Sequence, residues 1–324
     1  MNRCLTLAMS MLTRAALGAA AVLPAIPWIT RQLPVAGVMV GTLAGAGGVA
    51  QAQQSTARPD FSGVWDHGIA GFEPLASGPT ALVNRARRRD GTASLRLSVG
   101  DYTNPILKPE AAEVVKKFGE DQGQPDPFSE CWPGGPPFDF NRVPMQLVQT
   151  ANQVIILYYR DHQVRHVRLN QSHPAQVTPS WNGDSVGHYE GDTLVIDTLG
   201  IKVGPYAMVD FYGTPHTEGL HVVERYRLLD SAAAKEGFDR DAKENGFPRP
   251  REGHSPLGTK SNAQGKFLQL RFTVEDEGVF TTPWAATMTY RISPDEWEED
   301  ACAENIRWYP GKNADVPRAD KPDF

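Results

Sequence analysis

Cysteine is scarce, with three in 324 residues. That excludes a cysteine-dense scaffold and zinc-finger spacing. A Walker loop, a dinucleotide fingerprint and a haem-attachment motif are also absent, so no nucleotide, flavin or c-type haem cofactor is expected. There is no long basic block, and the formal net charge is −6. Nothing in that charge pattern forms an electrostatic footprint for nucleic acid. No internal repeat is visible. Asp, Glu and Lys are missing altogether from the first 52 positions, which carry only Arg3, Arg14 and Arg31 as charges.

That N-terminal stretch has the parts of a secretory signal: positive charge, apolar runs, and an A-x-A site at Ala50-Gln51-Ala52. Arg14, Pro24, Pro27 and Pro34 interrupt it. The uncharged segment from Gln32 to Ala50 offers the alternative of a retained anchor, although its glycines suit a membrane helix poorly. No adjacent arginine pair precedes the run Arg87-Arg88-Arg89, which argues against twin-arginine export. Cleavage after Ala52 leaves 272 residues and lowers the charge to −9. A periplasmic or secreted location follows, with no membrane insertion once the signal is removed. Cys4 leaves with the signal, and Cys131 and Cys302 are expected to form one disulfide. Two unpaired buried thiols are the alternative.

Residues 53–60 read as a polar linker, and order begins at Phe61-Ser62-Gly63-Val64-Trp65. The next stretch, to about Pro144, is rich in Pro and Gly and contains a basic run, Arg85 to Arg89, read as a solvated loop. One helix is expected there. Pro109 suits a first turn, Glu110 and Glu113 its positive end, and Lys116-Lys117 the last turn before Gly119. From Met145 onward the pattern is strand-like. Strands are expected over 145–150, 153–159, 163–169, 220–229, 267–275 and 285–292, with a hairpin over 186–198 turning at Glu190-Gly191-Asp192. Ser231 to Gly246 suits a short surface helix, and Phe247 to Gly265 a long loop. The fold class is therefore all-β. The expected form is a single antiparallel barrel-like or sandwich domain over residues 61–324, with an irregular N-terminal third and one or two short helices.

Gly183-Asp184-Ser185-Val186-Gly187 fits G-x-S-x-G, but a hairpin follows it where a hydrolase needs a helix, so Ser185 reads as a turn residue. The densest His/Glu cluster is His216-Thr217-Glu218-Gly219-Leu220-His221. Alternation along the strand puts His221 and Glu224 on opposite faces, which rules out a metal site using both. No metal is assigned. General acid–base chemistry suits these imidazoles, so His221, His216, Glu218 and the loop residue His173 are the candidate catalytic groups. The ordinary alternative for each histidine is a hydrogen bond in a loop or strand. His162, His166 and Arg168 share one face around Val164, which would be a polar lining if that face pointed into a barrel. His166 and Arg168, with the turn-edge aromatics Trp181 and Tyr212, are the candidate ligand-binding residues. Core packing is the competing role for the aromatics.

Gly63-Val64-Trp65 resembles the G-x-W that opens the first strand of lipocalin-like barrels. The runs Pro179 to Thr198 and Gly213 to Tyr226, with Phe61 to Trp65, Asp126 to Pro136, Phe280 to Trp284 and Cys302 to Asn305, resemble a large group of exported bacterial proteins without an assigned reaction. The resemblance implies one secreted β-rich domain and supplies no catalytic residue. Three functions are compatible with these readings. The first is binding of a small, partly apolar organic molecule with acid–base turnover of lyase or isomerase type. The second is a noncatalytic ligand-binding barrel. The third is a structural envelope protein.

Overall fold

The computed structural model describes residues 58–67, 71–85, 99–121, 124–141, 143–245, 261–293 and 301–302. The expected signal segment, most of the linker, the arginines after Arg85 and most of the 247–265 loop lie outside them.

Ten strands form one sheet. They are β1 (Val64–Asp66), β2 (Glu73–Pro74), β3 (Met145–Gln149), β4 (Gln153–Tyr158), β5 (Val164–Leu169), β6 (Asp184–Glu190), β7 (Thr193–Leu199), β8 (His221–Leu229), β9 (Phe267–Glu275) and β10 (Trp284–Ile292). The hydrogen-bonded order is β1-β3-β4-β5-β6-β7-β8-β9-β10-β2, and β10 pairs back onto β1 at Trp65↔Ile292. Nine strands therefore close a barrel, and β2 adds to its outside along β10. The all-β barrel expectation stands. One pair departs from antiparallel order: β5 and β6 run parallel, Val167 opposite Ser185. The crossover at residues 170–183 makes that direction attainable, because parallel neighbours need a connection longer than a hairpin turn.

Alternation decides which side chains go inside. Across the wall, register aligns Val154, Val167, Ser185, Thr198, Val222, Val274 and Trp284 in one inward row. Trp65, Tyr158, Tyr226, Leu270, Phe272 and Tyr290 help fill the rest, all fully buried. At about 25 cal/mol per Å² of apolar surface, such large side chains supply most of the driving force for closure.

Helix α1 (Pro109–Glu120) has Pro at its start, Glu110 in the first turn and Lys117 in the last, as its sequence dictates. It buries Ala111, Val115 and Gly119. Gly213 requires glycine twice over: its φ is +75°, and a Cβ there would run into the Phe118 ring of α1. Helix α2 (Ser231–Asn245) rests on the barrel through Ala234 and Phe238, which meet Leu229 and Phe267. Cys131 and Cys302 are bonded, 171 residues apart, as expected. No helix among the described residues is long and apolar enough to cross a membrane.

Candidate functional site

On the outside of the wall, polar side chains from five strands and one loop form a continuous chain of contacts. Arg168 on β5 makes a two-pronged pair with Asp184 at the start of β6, at 2.7 and 2.9 Å. His173, in the crossover loop, sets Nδ1 2.6 Å from Asp184 Oδ1 and Nε2 3.2 Å from Asp197 Oδ1. His221 at the start of β8 brings its Nε2 to the same Asp197 oxygen, at 2.9 Å. Its Nδ1 faces Glu275 Oε2 of β9 at 3.5 Å. Each imidazole therefore stands between two carboxylates. With both ring nitrogens protonated, His173 donates to Asp184 and Asp197 at once. The Arg168 guanidinium holds the Asp184 carboxyl below its ordinary range, and His173 adds to the effect.

The other two candidate catalytic residues lie apart from this chain. His216 is buried, with Nδ1 3.1 Å from the Thr217 carbonyl, and burial pushes its imidazole down in pKa. Its loop is pinned by Asp276, which accepts from the Thr217 amide at 2.6 Å and the Thr217 hydroxyl at 2.7 Å. Glu218 is exposed at the turn.

The candidate ligand-binding residues also separate. His166 and Arg168 point out of the barrel, so their face is a wet surface and not a lining. Tyr212 is buried in the apolar core, with its ring against Gly100. Trp181 is half-buried at a rim of aromatics, 5.1 Å from Trp132, which is 5.9 Å from Tyr206. The Lys202 ammonium sits 4.8 Å from the centre of the Trp181 ring, a cation–π distance.

Inside the barrel is a second polar cluster, which reasoning from the sequence missed. Arg165 is fully buried. Its Nη1 donates to Glu224 at 3.1 Å, its Nη2 to Glu224 at 2.5 Å and to Thr198 at 2.6 Å, and its Nε to Ser185 at 3.0 Å. Tyr226 donates its hydroxyl to Glu224 at 2.9 Å. Ser185 is thereby committed to the core and is not presented to a substrate. Asp139, on the short 3₁₀ turn Phe138–Phe140, accepts from the Gly135 amide at 2.8 Å. Burial pushes its carboxyl up to about 7, against the pull of Arg165 and Arg160.

A cavity of about 690 Å³ opens among the loop segments 78–83, 101–106 and 281–282, the last of which leads into β10. Apolar Pro79, Ala81, Val83 and Ile106 line it with the hydroxyls of Thr80 and Thr282, and Asn104 and Asp101 add polar points. It shares no residue with the histidine chain. Among the described residues, no three His, Cys, Asp or Glu side chains are grouped to hold a metal ion. No protein-family model, curated protein or solved structure matches the chain.

Proposed function

We propose that the chain is an exported domain that binds a small, partly apolar organic molecule in the 690 Å³ cavity beside β10. The cavity itself carries this reading. Its size falls in the range of small-molecule sites, its walls are mainly apolar, and a few hydroxyl and amide groups sit where they orient a ligand. Export is supported by the arginine-bearing apolar N-terminus and by the disulfide, a bond that persists in oxidising compartments.

The test is a thermal-shift screen of the mature chain against small organic molecules. A ligand at a hundredfold excess over its Kd adds about 2.7 kcal/mol to stability. Thr282→Trp puts an indole in the cavity lining and is expected to abolish the shift while the ligand-free melting point holds. A ligand that shifts Thr282→Trp as strongly as the parent overturns the cavity as the site.

A second reading is favoured by the histidine chain. His173 and His221 share one oxygen of Asp197, an arrangement suited to passing a proton between an imidazole and a bound molecule. This reading expects a product, detected by mass, that disappears in His173→Ala and His221→Ala. Saturable binding without product leaves the carrier.

A further inference from the structure

The disulfide does more than tie two distant points together. Its two sulfurs have different surroundings. Cys302 is buried, whereas Cys131 is partly exposed. Cys131 also holds φ +54°, the left-handed region that a side chain other than glycine enters at a cost. Beside Cys302 lies Arg160, whose Nη2 is 2.7 Å from the Cys302 sulfur and 2.6 Å from the Phe128 carbonyl. The guanidinium stacks over the Phe128 ring at 4.6 Å, which fixes its plane. Its Nε is buried and makes no hydrogen bond. The opposing charge is Asp161. One of its oxygens accepts from the Cys302 amide at 2.8 Å, and the other is 3.9 Å from Arg160 Nε.

A cation at a sulfur stabilises the thiolate over the thiol, and the sulfur that forms the better thiolate leaves faster in disulfide exchange. We infer that the Cys131–Cys302 bond is a thiol-exchange site, at which an incoming thiolate attacks the Cys131 sulfur and Cys302 departs. The incoming sulfur forms a bond to Cys131 Sγ, the Cys131–Cys302 bond breaks, and its electron pair stays on Cys302 as a thiolate beside Arg160. The product is a mixed disulfide on Cys131. The co-reactant is a thiol, either of low molecular weight or on another protein. A second thiol equivalent attacking the mixed disulfide leaves both cysteines reduced. Reversal by Cys302 restores the bond. Access favours this direction as well, because the attacked sulfur belongs to the more exposed residue.

The test is to incubate the native, oxidised chain with reduced glutathione, quench with acid, and map the adduct by peptide mass. The expected result is glutathione on Cys131 and a free thiol at Cys302. Adduct on Cys302, or exchange only after denaturation, overturns the inference. Replacing Arg160 tests the cause. Arg160→Met is expected to slow exchange about tenfold, whereas Arg160→Lys, which keeps the charge, stays within about threefold. A thermal melt of each variant separates a lost charge from lost packing. Equal exchange rates in the parent and Arg160→Met remove Arg160 from the account. The adduct map in the parent chain stands without any variant.

Discussion

Two polar clusters occupy the two faces of the same wall and share four strands, the outer one reaching further to Glu275 of β9 and to the loop residue His173. Strands β5, β6, β7 and β8 send Arg165, Ser185, Thr198 and Glu224 inward and Arg168, Asp184, Asp197 and His221 outward. The residue types are alike and the physics is not. Inside, Arg165 and Glu224 have no water to fall back on, so every bond they make replaces a lost solvation shell. Outside, the Asp197 side chain is 43% exposed, and water stands ready for any partner it loses. A buried pair of this kind is costly to break, whereas the outer chain is cheap to rearrange.

The largest effect should come from breaking the inner pair. Arg165→Met strands the Glu224 carboxylate in the core and is expected to cost about 3–5 kcal/mol in chemical unfolding. Replacing Glu224 by Leu in that background should recover part of the loss, since no charge is then left unpaired. The next effect separates the two sides by pH. Asp139 has its folded pKa raised to about 7 from an ordinary 3.8, so the folded state favours its protonated form. The contribution is complete below about pH 4 and is lost as pH rises through 7, amounting to up to about 4 kcal/mol. Asp139→Asn keeps an acceptor for Gly135, and stability measured from pH 4 to 8 should then lose that downward slope. On the outer face, Asp197→Asn should cost less than about 1 kcal/mol. The smallest change belongs to Arg225, which pairs with Glu190 at 2.6 Å, both about half exposed. Arg225→Ala should leave the unfolding midpoint unchanged within measurement error. An outer-face variant that cost as much as Arg165→Met would erase the distinction.

Most of the strands were legible because alternation and β-branched runs are local signals. The expected segments from Met145 to Ile292 match β3 to β10 to within two residues at their ends, and the Pro109 helix starts where expected and runs on through Gly119 to Glu120. Alternation alone did not decide between barrel and sandwich, because closure rests on a β1 of three residues, Val64–Asp66, to which only the Gly63-Val64-Trp65 resemblance pointed. Strand direction at β5–β6 depends on a crossover whose proline-broken sequence does not encode it. The opposed faces of His221 and Glu224 followed from period two alone. The inner cluster escaped for a related reason. In Val164-Arg165-His166-Val167-Arg168-Leu169 the apolar face of Val167 and Leu169 also carries Arg165, and its partner Glu224 lies 59 residues further along the chain, where no local pattern joins them. The pairing of His173 and His221 through Asp197 joins a loop to two strands, a contact that no spacing along the chain records. Asp197 was nevertheless findable: it occupies an outward polar position on the strand next to that of His221.

The seam at β1 has a consequence for how the molecule comes into being. Trp65 lies near the beginning of the described chain and its partner Ile292 near the end. A polypeptide emerging from its N-terminus therefore carries β1 at one border of a growing sheet, paired with β3 on one side and open on the other. Until β10 arrives, both borders of that sheet expose unpaired backbone, the condition that invites pairing with a neighbouring chain. That border stays open until nearly the last of the described residues has been made.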